Sequence, residues 1–179
     1  MTPALSYLAA MVRKVRPARF VQHLMNLVHQ DPQPTGAWTF EECGYTATPY
    51  GLVLGLPTRA LVYWQTCATA WPGESYDSPE QPARGQPPPA MTMPTLPTVQ
   101  MTPLVNVERY MGALLTGCAN EETAAVELYA DRPRPGAIPY GLNVRFHNGA
   151  RIFLYARHCL PAGRGYTEGD APFRRRDAI

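Results

Sequence analysis

A short sequence occurs twice in this chain: residues 48–52 read TPYGL, and residues 138–142, ninety positions later, read IPYGL. The similarity continues at the same spacing on both sides, through arginine, aromatic and apolar positions. The matched residues include Arg19 with Arg109, Phe20 with Tyr110, Leu24 with Leu114, Ala60 with Ala150, and Val62 with Ile152. Similarity at a fixed offset is typical of a repeated supersecondary unit. We therefore predict that two copies of one unit, related by a pseudo-twofold, make up most of the fold.

The repeat divides the chain into five predicted segments. Apolar residues at helical spacing, with Arg13 and Lys14 outside them, predict an N-terminal helix that Pro17 ends or kinks. Nine of the 20 prolines fall between Pro72 and Pro103, which is typical of an extended connector. The segments are the N-terminal helix (1–17), repeat 1 (18–71), the Pro-rich connector (72–103), repeat 2 (104–166) and a basic C-terminal tail (167–179).

Each repeat is predicted to contain one helix followed by three strands. In repeat 1 an apolar stripe predicts a helix over residues 18–29, and strands follow at 38–42, 52–56 and 60–65. In repeat 2, Asn106 is the predicted N-cap of a helix with Gly117 near its end. A strand at 125–130 and a hairpin over 142–156 follow. Two such units predict an α+β fold, an antiparallel sheet with helices on one face.

The register of the second hairpin depends on its turn at residues 147–149. A two-residue Asn-Gly turn would place Arg151 beside Phe146, on the same face as Val144. A three-residue turn with Gly149 in the left-handed conformation instead groups the apolar residues on one face, and we predict this turn. Arg59 occupies the position of Gly149 in repeat 1, where a positive φ is costly for arginine. The first turn is therefore expected to differ in type.

The sheet face remote from the helices is the predicted binding surface. Its predicted residues are Val53, Leu61 and Tyr63 in repeat 1, and Arg145, Arg151, Phe153 and Tyr155 in repeat 2. Aromatic rings with arginines suit base stacking on single-stranded nucleic acid, and they suit a protein interface equally well. Alternatively, the Pro-rich connector or the N-terminal helix covers this face and makes it a second core.

Composition limits the other possibilities. The net charge of +2 is too small for non-specific DNA binding by the whole surface. Four widely separated cysteines without histidines at ligand spacing argue against a zinc site, and the lack of a secretory signal argues against a disulfide framework. The N-terminus lacks the pattern of a secretory signal, and no apolar run is long enough for a membrane span. We expect a protein of the cytoplasm or of a virion that is not secreted and has no metal or other cofactor.

Catalytic residues are harder to find. Cys118 or Cys159 with His147 or His158 could form a dyad, although their spacing does not require it. A small enzyme with a cysteine nucleophile is therefore one alternative. The basic run Arg174–Arg176 is interpreted as a solvated tail.

The hairpin sequence, Pro-Tyr-Gly-Leu followed by an alternating strand, Asn-Gly-Ala and Ile-Phe-Leu, resembles uncharacterised proteins of high-GC actinobacteria and their phages. The resemblance covers both repeats and implies an origin in a phage or mobile element, but no activity. The leading expectation is a non-enzymatic module that binds a protein partner or itself, such as a structural or accessory component of a phage particle. The other alternative is a single-stranded nucleic-acid-binding protein that uses the open sheet face.

Overall fold

The computed structural model describes residues 16–71, 73 and 79–179. The predicted N-terminal helix therefore lies almost entirely outside the described residues. The described elements are α1 (Arg16–Gln30), β1 (Gly36–Thr39), β2 (Gly51–Gly55), β3 (Leu61–Thr69), α2 (Leu104–Gly117), β4 (Thr123–Leu128), β5 (Gly141–Phe146) and β6 (Arg151–Leu160). Each half of the chain thus runs helix, strand, strand, strand, as predicted.

The six strands form one sheet in the order β1-β2-β3-β6-β5-β4, and all neighbours are antiparallel. The two halves meet at the centre, where β3 pairs with β6. The α+β class and the antiparallel sheet are confirmed. Descent of both halves from one ancestral unit stays a prediction, and the symmetric strand order agrees with it.

Both helices pack on one face of the sheet, where they bury the main core. α1 contacts β1, β2 and β3, whereas α2 contacts β4 and β5 and also touches α1. Alternate strand residues such as Leu52, Leu54, Leu142 and Leu154 point into this core and are fully buried. The opposite face carries the other alternate residues, as the pleat requires. That second face contains the predicted binding surface.

The two hairpin turns have the same hydrogen bonds. Leu56 donates to Ala60 and Arg59 donates to Leu56, just as Phe146 donates to Ala150 and Gly149 to Phe146, at 2.8–3.0 Å. The three-residue turn at Gly149 is confirmed, with φ of 88°. The expectation that the first turn differs is wrong, because Arg59 itself takes a φ of 67°. The matching hydrogen bonds impose this conformation despite its cost for a side chain.

Replacing Arg59 with glycine should therefore stabilise the protein. Glycine takes the left-handed conformation without the clash of Cβ, so we expect the free energy of unfolding to rise by about 0.5–1 kcal/mol. The converse variant Gly149→Arg should lose about 1 kcal/mol at the matching turn. Urea unfolding of both variants measures the difference. A loss of stability in Arg59→Gly would contradict the strained turn.

The glycine of each TPYGL/IPYGL box lies beneath an aromatic ring. A Cβ at Gly51 would come within 2.3 Å of the ring of Phe40 and 2.4 Å of the Trp64 carbonyl oxygen. A Cβ at Gly141 would come within 3.0 Å of the ring of Tyr129 and 2.5 Å of the Leu154 carbonyl oxygen. Phe40 and Tyr129 each directly follow the first strand of their half. The box is therefore a place where an aromatic ring lies directly on the sheet backbone.

The variant Gly51→Ala should lose about 2 kcal/mol of stability, because neither the ring nor the backbone can move away without disturbing the sheet. The matched control is Gly117→Ala, since a Cβ there would meet no atom within 4 Å. Urea unfolding should show no loss for the control. Equal effects of the two substitutions would show that the close contact is unimportant.

Several boundaries differ from the predictions. β1 ends at Thr39 rather than residue 42, because the Glu42 carboxylate accepts hydrogen bonds from the Thr39 N–H (2.6 Å) and hydroxyl (2.9 Å) and closes a turn. β3 continues to Thr69, four residues beyond the prediction, because it pairs with β6 over this stretch. Asn106 is not an N-cap: α2 begins at Leu104, whose N–H donates to the Asp177 carbonyl oxygen at 2.9 Å.

The connector lies against the helix layer, not against the second sheet face. Its Leu96 is buried in the main core, and its Met91 N–H donates to the Thr116 hydroxyl at 3.0 Å. The hypothesis that the connector covers the predicted binding surface is therefore wrong for the described residues. The C-terminal tail is also folded in place: Ile179 is buried in the main core and forms backbone hydrogen bonds with Thr102.

Glu108 is a fully buried carboxylate on α2, and it fastens the helix to the sheet. Oε1 accepts from the backbone N–H groups of Gly141 (2.7 Å) and Tyr129 (3.1 Å), and Oε2 accepts from that of Ala130 (3.0 Å). Burial raises the pKa of Glu108, and the three donors oppose this by stabilising the charged form. One side chain thereby accepts hydrogen bonds from three backbone donors at the end of β4 and the start of β5.

Candidate functional site

The second sheet face is covered over the first half of the chain. Tyr45, from the loop after β1, and Tyr166, from the segment after β6, lie over Tyr63 with ring centroids 5.4 and 6.2 Å away. Phe40 completes this aromatic cap at 6.1 Å from the Tyr63 ring. The Tyr45 hydroxyl also lies 3.1 Å from Nε2 of His158, which keeps the cap fixed.

Three of the predicted site residues lie beneath or beside this cap. Val53 and Tyr63 are buried, with 0% and 3% of their surface exposed, and Leu61 is half-buried against them. They share the predicted face, but the prediction that they form an open surface is wrong for Val53 and Tyr63. The cover comes from two loops of the same chain, which pack their own rings onto the sheet.

The second half of the face is open. Strand pairing places Phe153 of β6 between Cys67 of β3 and Asn143 of β5, and it places Tyr155 next to Gln65 in the adjoining row. We call this surface the aromatic–arginine face, and it consists of Tyr129, Arg132, Arg145, Arg151, Phe153, Tyr155, Arg157 and Phe173. The four predicted residues of repeat 2 all belong to it.

The rings of this face form a continuous row. Phe153 and Tyr155 lie two positions apart on a central strand, with centroids 6.0 Å apart and planes inclined by only 16°. Tyr129 and Phe173 flank Tyr155 at 6.0 and 6.3 Å. The Arg132 guanidinium lies over the Tyr129 ring at 3.1 Å from its centroid. Phe153 and Tyr155 are partly exposed, so each offers part of a flat apolar ring to a ligand.

Two arginines stand directly opposite each other on this face. Arg145 of β5 pairs in register with Arg151 of β6, and like charges at such positions destabilise a sheet. Glu127 offsets part of this charge through an ion pair with Arg145 at 3.1 Å, but Arg151 has no acidic partner among the described residues. An anionic ligand would relieve this repulsion.

The charge of the chain is distributed unevenly. Between residues 129 and 176 the sequence has nine arginines and three carboxylates, although the whole chain carries only +2. This stretch contains β5, β6 and the loops beside the open half of the sheet. The net charge of the whole chain is therefore small although this part of the protein is strongly basic. The rest of the chain carries the compensating negative charge, with seven basic and eleven acidic residues.

Protein-family models, curated proteins and solved structures give no match to this chain.

The cysteines and histidines proposed for catalysis do not come together in the described structure. Cys159 is buried on the helix side of the sheet, where burial raises the pKa of its thiol to about 12, and His158 faces the aromatic cap instead. His147 contacts the Gln86 carbonyl oxygen at 3.0 Å. Cys118 lies nearest to a different histidine, with its Sγ 3.8 Å from Nε2 of His23. A thiolate at Cys159 is thus strongly disfavoured near neutral pH.

Within residues 16–71, 73 and 79–179, no cluster of three His, Cys, Asp or Glu side chains could hold a metal ion. In the same part of the chain, none of the helices combines the length and apolar character needed to cross a bilayer. A cavity beside α1 is lined by Arg19, Glu80 and Glu122. Arg19 forms ion pairs with Glu80 at 2.7 Å and with Glu122 at 2.9 Å, so the charged groups of this cavity already contact one another.

Sequence reasoning missed Tyr129, Arg132 and Phe173. Tyr129 could have been found from its place directly after a strand, where repeat 1 has Phe40. Phe173 gave no such signal, because it belongs to a non-repeated segment and reaches the face only after the chain folds back. Its N–H donates to the Arg157 carbonyl oxygen at 2.7 Å, with φ in the left-handed region at 57°.

Proposed function

We propose that the protein is a non-enzymatic binding module whose aromatic–arginine face binds single-stranded nucleic acid. The observation that carries this proposal is the row of Phe153 and Tyr155 beside the facing arginines Arg145 and Arg151. Exposed bases stack on flat aromatic side chains, while arginines hold the phosphates between them. An antiparallel sheet with its helices on the opposite face leaves these groups free for that contact.

The charge pattern favours nucleic acid over a protein partner at this face. A protein interface tolerates Tyr and Arg equally well, but it gives no reason for two arginines in direct register. A polyanionic ligand explains the two arginines, because successive phosphates supply negative charge along its whole length. Single strands are favoured over duplexes, since the bases of a duplex are stacked on each other and cannot reach the rings.

Fluorescence anisotropy with a labelled single-stranded oligonucleotide of about 12 nucleotides tests the proposal. Binding should occur at low salt and weaken steadily as salt rises, because each phosphate contact releases counterions. A duplex of the same sequence should bind more weakly. The variant Arg145→Gln/Arg151→Gln should reduce both the affinity and the salt dependence.

The matched control is Arg84→Gln, which removes an exposed arginine of the connector that pairs with Glu121 at 3.8 Å, away from the face. It should bind like the wild-type protein. Absence of binding by the wild-type protein at low salt would refute the proposal. Equal loss in the control and the double variant would show that binding reflects net charge alone.

A protein partner remains the second candidate, supported by a different surface. Val99 and Met101, just before α2, expose 91% and 66% of their surface. Exposed apolar side chains this close together favour a protein contact, as in self-association or a virion component. Size-exclusion chromatography with light scattering tests this candidate. Two results together would argue against it: a monomeric wild-type protein, and a variant Val99→Ser/Met101→Ser that keeps every interaction with host proteins.

A further inference from the structure

A basic pocket opens at the end of β6, where the chain leaves the sheet and folds back through residues 161–176. Together with its open mouth it encloses about 400 Å³. Its charged and polar lining consists of Arg157, His158, Arg164, Asp170, Arg174 and Arg176. We call it the arginine pocket.

The arginine pocket has more positive than negative charge. Asp170 pairs with Arg164 and also accepts from the Thr167 N–H at 3.0 Å, so this carboxylate is engaged by one arginine. Arg157, Arg174 and Arg176 have no carboxylate partner among the described residues. Three arginines without a carboxylate partner line one small space, and they favour a ligand with more than one negative charge.

Arg157 is placed in the pocket by an irregularity of the central strand pair. Ala156 stands opposite Trp64 and His158 opposite Tyr63, so Arg157 is an extra residue without a partner on β3. Bulges of this kind often re-aim a side chain beside a functional site. Nη1 of Arg157 donates to Oε1 of Gln65 at 2.7 Å, and its buried Nε has no acceptor among the described residues. The guanidinium is therefore held in place before any ligand binds.

The pocket adjoins the aromatic–arginine face. The Arg157 guanidinium lies 5.4 Å from the centre of the Phe173 ring, and that ring lies 6.3 Å from the ring of Tyr155. The left-handed backbone of Phe173 places its ring between the two. A non-glycine residue in this conformation is strained, and such strain is concentrated at functional sites. A strand stacked on Tyr155 and Phe153 would bring one of its ends to the pocket.

We propose that the arginine pocket binds a phosphate monoester, supplied by the terminal phosphate of a strand that lies on the aromatic–arginine face. A terminal phosphate carries close to two negative charges near neutral pH, whereas an internal diester carries one. The unpaired guanidinium groups select for that second charge. This inference rests on the proposed function, and a small phosphorylated molecule would offer the same chemistry without a strand.

The test compares oligonucleotides of one sequence that carry a 5′ phosphate, a 3′ phosphate or no terminal phosphate. Anisotropy should show about a tenfold preference for one of the phosphorylated strands, as one or two extra charge-assisted hydrogen bonds would give. The variant Arg174→Gln/Arg176→Gln should remove the preference and leave binding of the unphosphorylated strand nearly unchanged. The matched control is Arg175→Gln, since Arg175 lies between these two residues but does not line the pocket.

The possible failures are distinguishable. Equal affinity for all three strands would overturn the pocket assignment and leave the proposed function intact. If no strand binds, the proposed function and the strand-end assignment both fall. Thermal unfolding in inorganic phosphate, compared with chloride at the same ionic strength, then tests whether the pocket binds a small phosphorylated molecule. A rise in the unfolding midpoint that Arg174→Gln/Arg176→Gln abolishes would assign the pocket to a small phosphorylated molecule instead.

Discussion

The variant Glu108→Ala should lose about 3–5 kcal/mol of unfolding free energy, as much as truncation of a large core residue to alanine. It leaves the backbone N–H groups of Ala130 and Gly141 without their acceptor, whereas the Tyr129 N–H keeps its hydrogen bond to the Gly141 carbonyl oxygen at 2.9 Å. Each unsatisfied donor costs about 1–3 kcal/mol, and water that enters the vacated space recovers part of this. The loss is comparable to that of breaking a buried ion pair.

The variant Glu108→Gln separates the hydrogen bonds from the charge. Its amide oxygen can keep the donors Gly141 and Tyr129, but its NH₂ group then faces the N–H of Ala130. We expect a loss of about 2 kcal/mol, smaller than for alanine. If the free energy of unfolding increases in the order alanine variant, glutamine variant, wild type, the Glu108 side chain acts as a hydrogen-bond acceptor.

Urea unfolding measures these changes, and Glu121→Ala is the control. The Glu121 side chain is 62% exposed and has only a long ion pair of 3.8 Å, so its removal should change stability by less than about 0.5 kcal/mol. A Glu108→Ala protein within about 1 kcal/mol of the wild type would show that the loop after β4 finds other acceptors.

The variant Phe153→Leu/Tyr155→Leu should weaken binding of a single-stranded oligonucleotide by about 30-fold or more. Stacking of a base on an aromatic ring is worth about 1–3 kcal/mol, and two rings are removed. Leucine retains an apolar side chain on the strand, so the sheet itself should persist. Loss of affinity with an unchanged urea midpoint would therefore assign the effect to stacking.

Anisotropy at one low salt concentration measures this loss, with Trp38→Leu as the control. Trp38 is an exposed aromatic residue of β1, at the far edge of the covered half of the sheet. Its replacement changes the same kind of side chain without touching the aromatic–arginine face. If the double variant binds as tightly as the control, the rings do not contact bases and arginine contacts alone would account for binding.

The sequence predicted the layers and the register well because both depend on local patterns. Residues 148–150, Asn-Gly-Ala, together with the alternation of Val144, Ile152 and Leu154, determine which face each residue of β5 and β6 takes. That alternation correctly placed Phe153 and Arg151 opposite the main core. The 90-residue offset extended the same pattern to the first half.

The cover of the sheet could not be predicted, because it depends on contacts between distant segments. Tyr45 and Tyr166 are separated by 121 positions and meet only above Tyr63. Neither residue belongs to a periodic pattern. The arginine pocket was missed for the same reason: Arg157 depends on a bulge, and the run Arg174–Arg176 has the composition of a solvated tail.

The pairing of β3 with β6 has a consequence for the independence of the two halves. A fragment that contained one half alone would leave the backbone donors and acceptors of a long inner strand without partners. Such an edge recruits another strand, so each fragment would have to associate with its counterpart or with a second molecule of itself. A free-standing ancestral half would accordingly have been a symmetric homodimer, and duplication and fusion of its gene would have turned an intermolecular contact into the middle of a single sheet.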